Sequence, residues 1–298
     1  MSIDLKNLEQ RKIICPPKWL TDNVHYLVIM GSHAYGCETP ESDYDIYGWC
    51  IPPKNILFPW NNGLIFGFDN FNSFDQWQEQ HINDGNGKEL DFSIYNITRY
   101  FFLCANANPN MIETLYAPQN CILKNSSIGQ MVREKRHLFL SKKAWHSYKG
   151  YSYSQLGSMT GRNYTGKRVK IVEKFGFDTK AATNVVRLLY QIEQILTEED
   201  LDLQKHKEYL KAIRRGEVSE NKIKEFFNVK EKEFEKLYHQ SKLPYSPRFD
   251  EIRQLLIDCL EHHYGSLENM IKIEKDQSES ALAFTEIKEI VDKYRNRI

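Results

Sequence analysis

An apolar run from Val24 to Met30 breaks at Gly31-Ser32, and a second strand-like segment then opens with two carboxylates one residue apart, Asp43 and Asp45. Side chains of a strand alternate between its faces. Asp43 and Asp45 therefore project from one side, where their oxygens can converge on one divalent cation, while Tyr44 points away. Hard cations such as Mg²⁺ take oxygen ligands and commonly bind through one or two carboxylates plus the phosphates of a nucleotide, so a D-x-D pair is an incomplete cage that a nucleotide would finish. Gly31 lets the backbone approach a phosphate, and Ser32 at the start of a turn or short helix offers a hydroxyl and N–H groups to an anion. The pattern reads as a metal-dependent phosphoryl-transfer site. The plainer reading is an ordinary Gly-Ser turn with Asp43 as a turn or cap residue.

The longer context is Gly31-Ser32-His33-Ala34-Tyr35-Gly36, then Thr39-Pro40-Glu41-Ser42-Asp43-Tyr44-Asp45-Ile46-Tyr47-Gly48. It closely resembles the signature of the DNA polymerase beta-type nucleotidyltransferases, in particular their RNA-ligase-associated branch. Lys88-Glu89-Leu90-Asp91-Phe92-Ser93-Ile94-Tyr95 resembles the second acidic strand of that family, and Asn108-Pro109-Asn110 with Glu113 the helical segment after it. Phe139-Leu140-Ser141-Lys142-Lys143, Gly176-Phe177-Asp178-Thr179-Lys180 and Arg187-Leu188-Leu189 extend the likeness, which runs from about residue 24 to 190. Two positions depart from it: Tyr47 stands where many relatives carry Arg, and Asn184 where a His is expected on the later helix.

The resemblance implies transfer of a nucleoside monophosphate from an NTP to a hydroxyl, with two Mg²⁺ (or Mn²⁺) ions. Asp43 and Asp45 would hold both ions. Asp91, the third acid, would bind the ion that activates the attacking hydroxyl, or accept its proton. Read without the resemblance, Asp91 is a polar residue on a half-buried strand. The same likeness implies nucleotide contacts from Gly31, Ser32, Ser141, Lys142, Lys143, Lys180, Asn184 and Arg187.

The expected fold class is α+β: a nucleotidyltransferase domain, mixed sheet with flanking helices, over residues 1–130, and a helical domain over 131–298 completing the cleft. Strands are expected from Val24 to Met30, Asp43 to Ile51 (ended by Pro52-Pro53), Gly63 to Phe68 and Glu89 to Tyr95. Phe71 to Ile82 fits a strand or a short helix. Asn83-Asp84-Gly85-Asn86-Gly87 is a turn signal that suggests a hairpin and brings Asp91 beside the Asp43 strand. Ile97 to Ala107 has a helical pattern, Pro109 starts the next helix, and Asn108, Asn110 and Glu113 read as structural caps.

Thr179 to Leu196 is the clearest amphipathic helix, with Val185, Leu188, Leu189, Ile192, Ile195 and Leu196 in one stripe. Lys180, Asn184, Arg187 and Gln191 line another face; such a stripe is usually just solvated, and the resemblance points it at the nucleotide. Further helices are expected from Ser219 to Gln240, Phe249 to His263 and about Ser280 to Tyr294, the last packing on its own chain or on a partner. His262 and His263 have no partner at metal spacing.

Lys plus Arg equals Asp plus Glu at 40 each, so global charge names no nucleic-acid or membrane partner. Local charge does more. Residues 133–174 carry eleven basic side chains against two acidic ones, interleaved with Phe139, Trp145, Tyr148, Tyr151, Tyr153 and Tyr164. Basic groups with stackable rings suit an RNA acceptor or a nucleotide base, and equally a solvated helix face. The six cysteines contain no C-x-x-C pair, which points to reduced thiols. With no apolar leader and no run of membrane-spanning length, a cytoplasmic setting is expected. Three classes stay open: an enzyme acting on an RNA end, a toxin-like transferase acting on a protein or small-molecule hydroxyl, and a non-catalytic nucleotide sensor. Oligomeric state is not legible.

Overall fold

The first apolar run folds as strand β1 (Val24–Ile29) and the D-x-D segment as β2 (Tyr44–Cys50). With β3 (Gln76–Asn83), β4 (Glu89–Asn96) and β5 (Ile122–Asn125) they form a mixed sheet in the order β3-β4-β2-β1-β5. The structure is a computed structural model that describes residues 3–40, 42–64, 73–85, 87–161, 164, 166–266, 268, 270 and 287. β1 pairs antiparallel with β2 and β5, and β3 with β4. The expected hairpin is present, closed by Asp84 and Lys88, whose backbones and the Asp84 carboxylate exchange hydrogen bonds of 3.0 Å. β2 and β4 run parallel, and their register sets Asp45 beside Asp91.

Around the sheet lie α1 (Leu5–Gln10), α2 (Leu20–Asn23), α3 (Gly31–Ala34), α4 (Lys54–Leu57), α5 (Ile97–Ala105) and α6 (Pro109–Leu115). Beyond β5 the chain is helical: α7 (Ser127–Glu134), α8 (Lys143–Met159), α9 (Lys167–Phe175), α10 (Thr179–Glu198), α11 (Lys207–Arg214), α12 (Glu220–Gln240) and α13 (Phe249–Tyr264). Their starts carry side-chain oxygens that satisfy first-turn N–H groups: Asn96 for α5, Asn108 for α6, Ser126 for α7, Asp178 for α10 and Ser219 for α12. Pro109 stands at the first position of α6, where its missing N–H costs nothing.

The two faces of the sheet bury different partners. Ile46, Leu90, Phe92 and Ile94 pack with Leu5, Leu8, Ile14 and Leu20 of the N-terminal segment. The other face contributes Tyr26, Val28 and Trp49 to a larger core shared with α5, α6, α8, α10, α12 and α13. Complete burial of side chains as large as Trp49 and Phe92 is worth about 1.5–3 kcal/mol each. α10 lies deep in that core, with Ala181, Val185, Leu188, Ile192 and Ile195 buried.

The ambiguous stretch before the hairpin is a strand from Gln76 onward. Gly63, expected to open a strand, instead closes a short helical turn with a left-handed backbone, and residues 65–68 lie outside the described residues. The helix expected at about 280–294 also lies outside them, save Ile287. All six cysteines are free; five are buried and Cys15 is exposed. Among the described residues no helix is long and apolar enough to cross a membrane.

Candidate active site

Paired residues on neighbouring strands point to the same face, so the parallel register of β2 and β4 puts the Asp45 and Asp91 carboxylates side by side. Asp43, two residues before Asp45, joins them: it and Asp91 both act electrostatically on Asp45. Burial is the largest influence on Asp45 and raises its pKa, the two acids raise it further, and Lys180 and His33 pull it down. Asp45 is thus a partly buried carboxylate in excess negative charge, with the Lys180 ammonium its strongest opposing neighbour.

Gly31 and Asp45 touch. The Met30 N–H donates to the Asp45 carbonyl at 2.7 Å, and Gly31 then turns with φ +61°, so that a Cβ at residue 31 would overlap Asp45 Oδ2. Ser32 follows in the first turn of α3, and its carbonyl accepts the Cys37 N–H at 2.8 Å. His33 stacks on Tyr44, with ring centroids 4.6 Å apart and planes 10° from parallel. The Gly-Ser turn and the D-x-D strand are therefore one structural unit.

The polar stripe of α10 descends from this site into the core. Lys180 is exposed beside Asp45. Asn184 donates to Gln155 Oε1 of α8 at 3.1 Å. Arg187 is buried; its guanidinium donates to Glu113 and to Gln191 and lies 4.3 Å from the Tyr35 ring centre. Tyr35 in turn donates its hydroxyl to Glu113. Glu113, read from sequence as a cap, is a fully buried acid on α6 that ties α10 to the segment following the Gly-Ser turn.

Tyr47 lies on the same face of β2 as Asp45, and burial pushes its phenol well up, with Asp45, Tyr95, Glu113 and Tyr151 adding to the effect. Ser93 is paired with Tyr47 across the sheet, and Gln78 donates to Ser93 Oγ at 3.4 Å. The carboxylates therefore stand at the end of a polar, tyrosine-rich strip of the sheet.

Ser141, Lys142 and Lys143 keep other company. Ser141 is fully buried, and the Lys142 ammonium lies 4.8 Å from the Tyr245 ring centre and 5.7 Å from that of Tyr238. Lys143 donates to Asn106 Oδ1 at 2.7 Å. Among the described residues, no hydrogen bond or ion pair joins these three to Asp45 or Asp91. The basic stretch divides likewise: Arg133 donates to the Tyr26 hydroxyl, Lys149 pairs with Glu231 at 2.9 Å and Arg168 with Asp178 at 3.2 Å, whereas Lys170 and Lys174 are exposed.

Two neighbours of Asp91 escaped the sequence reading. The β3–β4 pairing slips between Glu79 and Ile82, and His81 there has φ +58°. Its N–H donates to Asp91 Oδ1 at 2.7 Å, and its ring meets Glu89. His81, Glu89 and Asp91 offer ligand atoms within 4.8 Å of one another. The turn cluster signalled the hairpin, and nothing in it signalled the bulge. The donor set suits a divalent cation: Asp43, Asp45 and Asp91 are carboxylates of the kind hard ions prefer, and Asp43 and Asp91 both act on Asp45.

Residues 1–280 match the family described as the RNA repair pathway DNA polymerase beta family. An uncharacterized 38.9 kDa protein in the nrdC-mobD intergenic region of Enterobacteria phage T4 is 27% identical over 128 residues, 42% of this chain and 35% of that protein. The match thus spans about a third of that relative's length. A solved nucleotidyltransferase-like protein from Exiguobacterium sibiricum is 12% identical, with 87% of this chain and 72% of that one covered at a TM-score of 0.28.

Proposed function

This chain belongs to the RNA repair pathway DNA polymerase beta family, and we propose that it moves a nucleoside monophosphate from an NTP to the hydroxyl of an RNA end, releasing pyrophosphate. The chain is an enzyme of the nucleotidyltransferase type. The observation that carries the detailed reading is the in-register pair Asp45 and Asp91, joined by Asp43 and seated against Gly31.

Asp43, Asp45 and Asp91 would hold divalent cations, Mg²⁺ or Mn²⁺, which when bound neutralise the triphosphate and make the acceptor hydroxyl more acidic. The chain's own groups do the rest. Gly31, without a side chain, leaves room for the Asp45 carboxylate beside the turn, and Ser32 offers its hydroxyl to the phosphates. Lys180 counters the charge that grows on the leaving pyrophosphate. Asp91 accepts the His81 N–H at Oδ1, and it either helps hold the ion that acidifies the acceptor hydroxyl or takes that hydroxyl's proton itself. That oxygen then bonds to the α-phosphorus as the bond to pyrophosphate breaks. Arg187, with Glu113 and Tyr35, acts from behind by fixing the turn. The helical half from about residue 131 supplies the second wall through α10, and six free thiols fit a reducing, cytoplasmic setting.

The test uses each α-labelled NTP with Mg²⁺ or Mn²⁺ and both total RNA and protein extract, comparing the wild type with Asp45→Asn and Asp91→Asn. Label entering RNA with the wild type alone supports the proposal. Label entering protein moves the acceptor to the toxin-like class. NTP binding without any transfer describes a sensor.

A further inference from the structure

An open cavity of about 520 Å³ is lined by Thr39, Lys170, Ile171, Lys174, Phe175, Arg214 and Arg215. Arg215 is paired with Glu217, whereas Lys170, Lys174 and Arg214 form no ion pair among the described residues. Arg214 is half-buried, and desolvation lowers its pKa, opposed by Cys37 and Asp178. Asp178 acts on this guanidinium without pairing with it, so the guanidinium N–H groups stay open to an anion from outside. Phe175 and Ile171 add an apolar wall, and the Lys174 ammonium lies 4.9 Å from the Phe175 ring centre.

Two stretches of chain connect the cavity to the carboxylate site. Thr39 belongs to the segment that leads from the Gly-Ser turn to Asp43, and its N–H donates to Ser42 Oγ at 2.9 Å. The Cys37 thiol contacts the Lys207 carbonyl at 3.8 Å, which holds that segment to α11. On the other side Thr179 contacts the Arg214 carbonyl at 3.5 Å, and the next residue, Lys180, faces Asp45. Thr39, Lys170, Lys174 and Arg214 line this one cavity.

Resting on the nucleotidyltransferase reading, we infer that this groove binds the phosphodiester backbone of the single-stranded acceptor whose terminal hydroxyl is nucleotidylated at Asp91. Three cations lining one open groove favour a polyanionic acceptor over a protein hydroxyl.

Binding of a fluorescent single-stranded oligoribonucleotide of roughly 12 nucleotides to the full chain, followed by anisotropy against salt, tests this. Lys170→Gln with Lys174→Gln alters exposed side chains. It should weaken binding at least about tenfold and flatten the slope of log K against log salt by about 1.4, or 0.7 per lost contact. The charge-matched control, Lys232→Gln with Lys236→Gln on α12, should keep the wild-type slope. Equal slopes for the two double variants, no oligonucleotide binding by the wild type, or displacement of the oligonucleotide by metal-free NTP would each overturn the inference. NTP binding, read separately, keeps the two readings apart: a groove that binds RNA in a chain that binds no NTP sustains the groove and removes the transferase.

Discussion

Gly31 packs against the Asp45 carboxylate so closely that a Cβ at residue 31 would clash with Oδ2. Gly31→Ala therefore strains the turn, because φ there is +61°, and pushes Asp45 off Asp91. The strain costs about 1–3 kcal/mol. Transfer should fall on the order of 100-fold, the scale of a misplacement near 1 Å. Denaturant unfolding and single-turnover rates check the two parts separately.

Asp45→Asn should raise stability while it abolishes transfer. Burial, Asp91 and Asp43 raise the folded pKa of Asp45 above its ordinary 3.8. The folded state thus disfavours the charged form, and stability is lost as pH rises through that pKa. Removing the charge at neutral pH recovers it. The metal-free melting temperature of Asp45→Asn should exceed that of the wild type by about 2–4 °C. Mn²⁺ should raise the wild-type value and leave the variant's where it was. A lower melting temperature for the variant would show that Asp45 contributes to stability without a metal.

The Arg187–Glu113 pair is almost wholly buried, at 4% and 1% side-chain exposure. Removing one partner leaves a bare charge, so Arg187→Ala or Glu113→Ala should each destabilise by about 3–5 kcal/mol. Arg187→Met with Glu113→Leu should recover much of that loss. If Arg187→Ala instead leaves stability intact and weakens NTP binding, Arg187 is a phosphate contact after all.

Acid should loosen the contact between β1 and the end of α13. His25 bonds Ser126 through Nδ1 and His263 through Nε2, each at 3.0 Å. Burial lowers its pKa from 6.5 to about 4, with His263, Lys124 and His262 adding repulsion. Between those values the unfolded chain takes up a proton that the folded chain refuses, so stability falls as pH drops from about 6.5 to 4. Melting temperatures across that range should decline, and His25→Gln should decline less steeply.

Much of this was legible in the sequence because it is local. The Gly-Ser turn, the D-x-D strand, the turn cluster before Asp91 and the stripe of α10 are each patterns within one element. What escaped depends on elements meeting. Glu113 and Arg187 lie 74 residues apart, and neither signals the other. β5 is four residues long, too short to show a period. Ser141-Lys142-Lys143 carries charge that suits phosphate, but Tyr245 and Asn106, far away in sequence, engage its two ammonium groups. Nothing in the basic stretch sets Lys170 and Lys174 apart from its other cations; Arg214, from a later helix, lines the same cavity with them.

The most direct measurement is calorimetric binding of a non-hydrolysable NTP with and without Mn²⁺, to the wild type and to Asp45→Asn with Asp91→Asn. The account predicts tight binding to the wild type with Mn²⁺, much weaker binding without it, and none of that metal dependence in the variant. Absence of NTP binding to the wild type, or equal metal-dependent binding by both proteins, would contradict it.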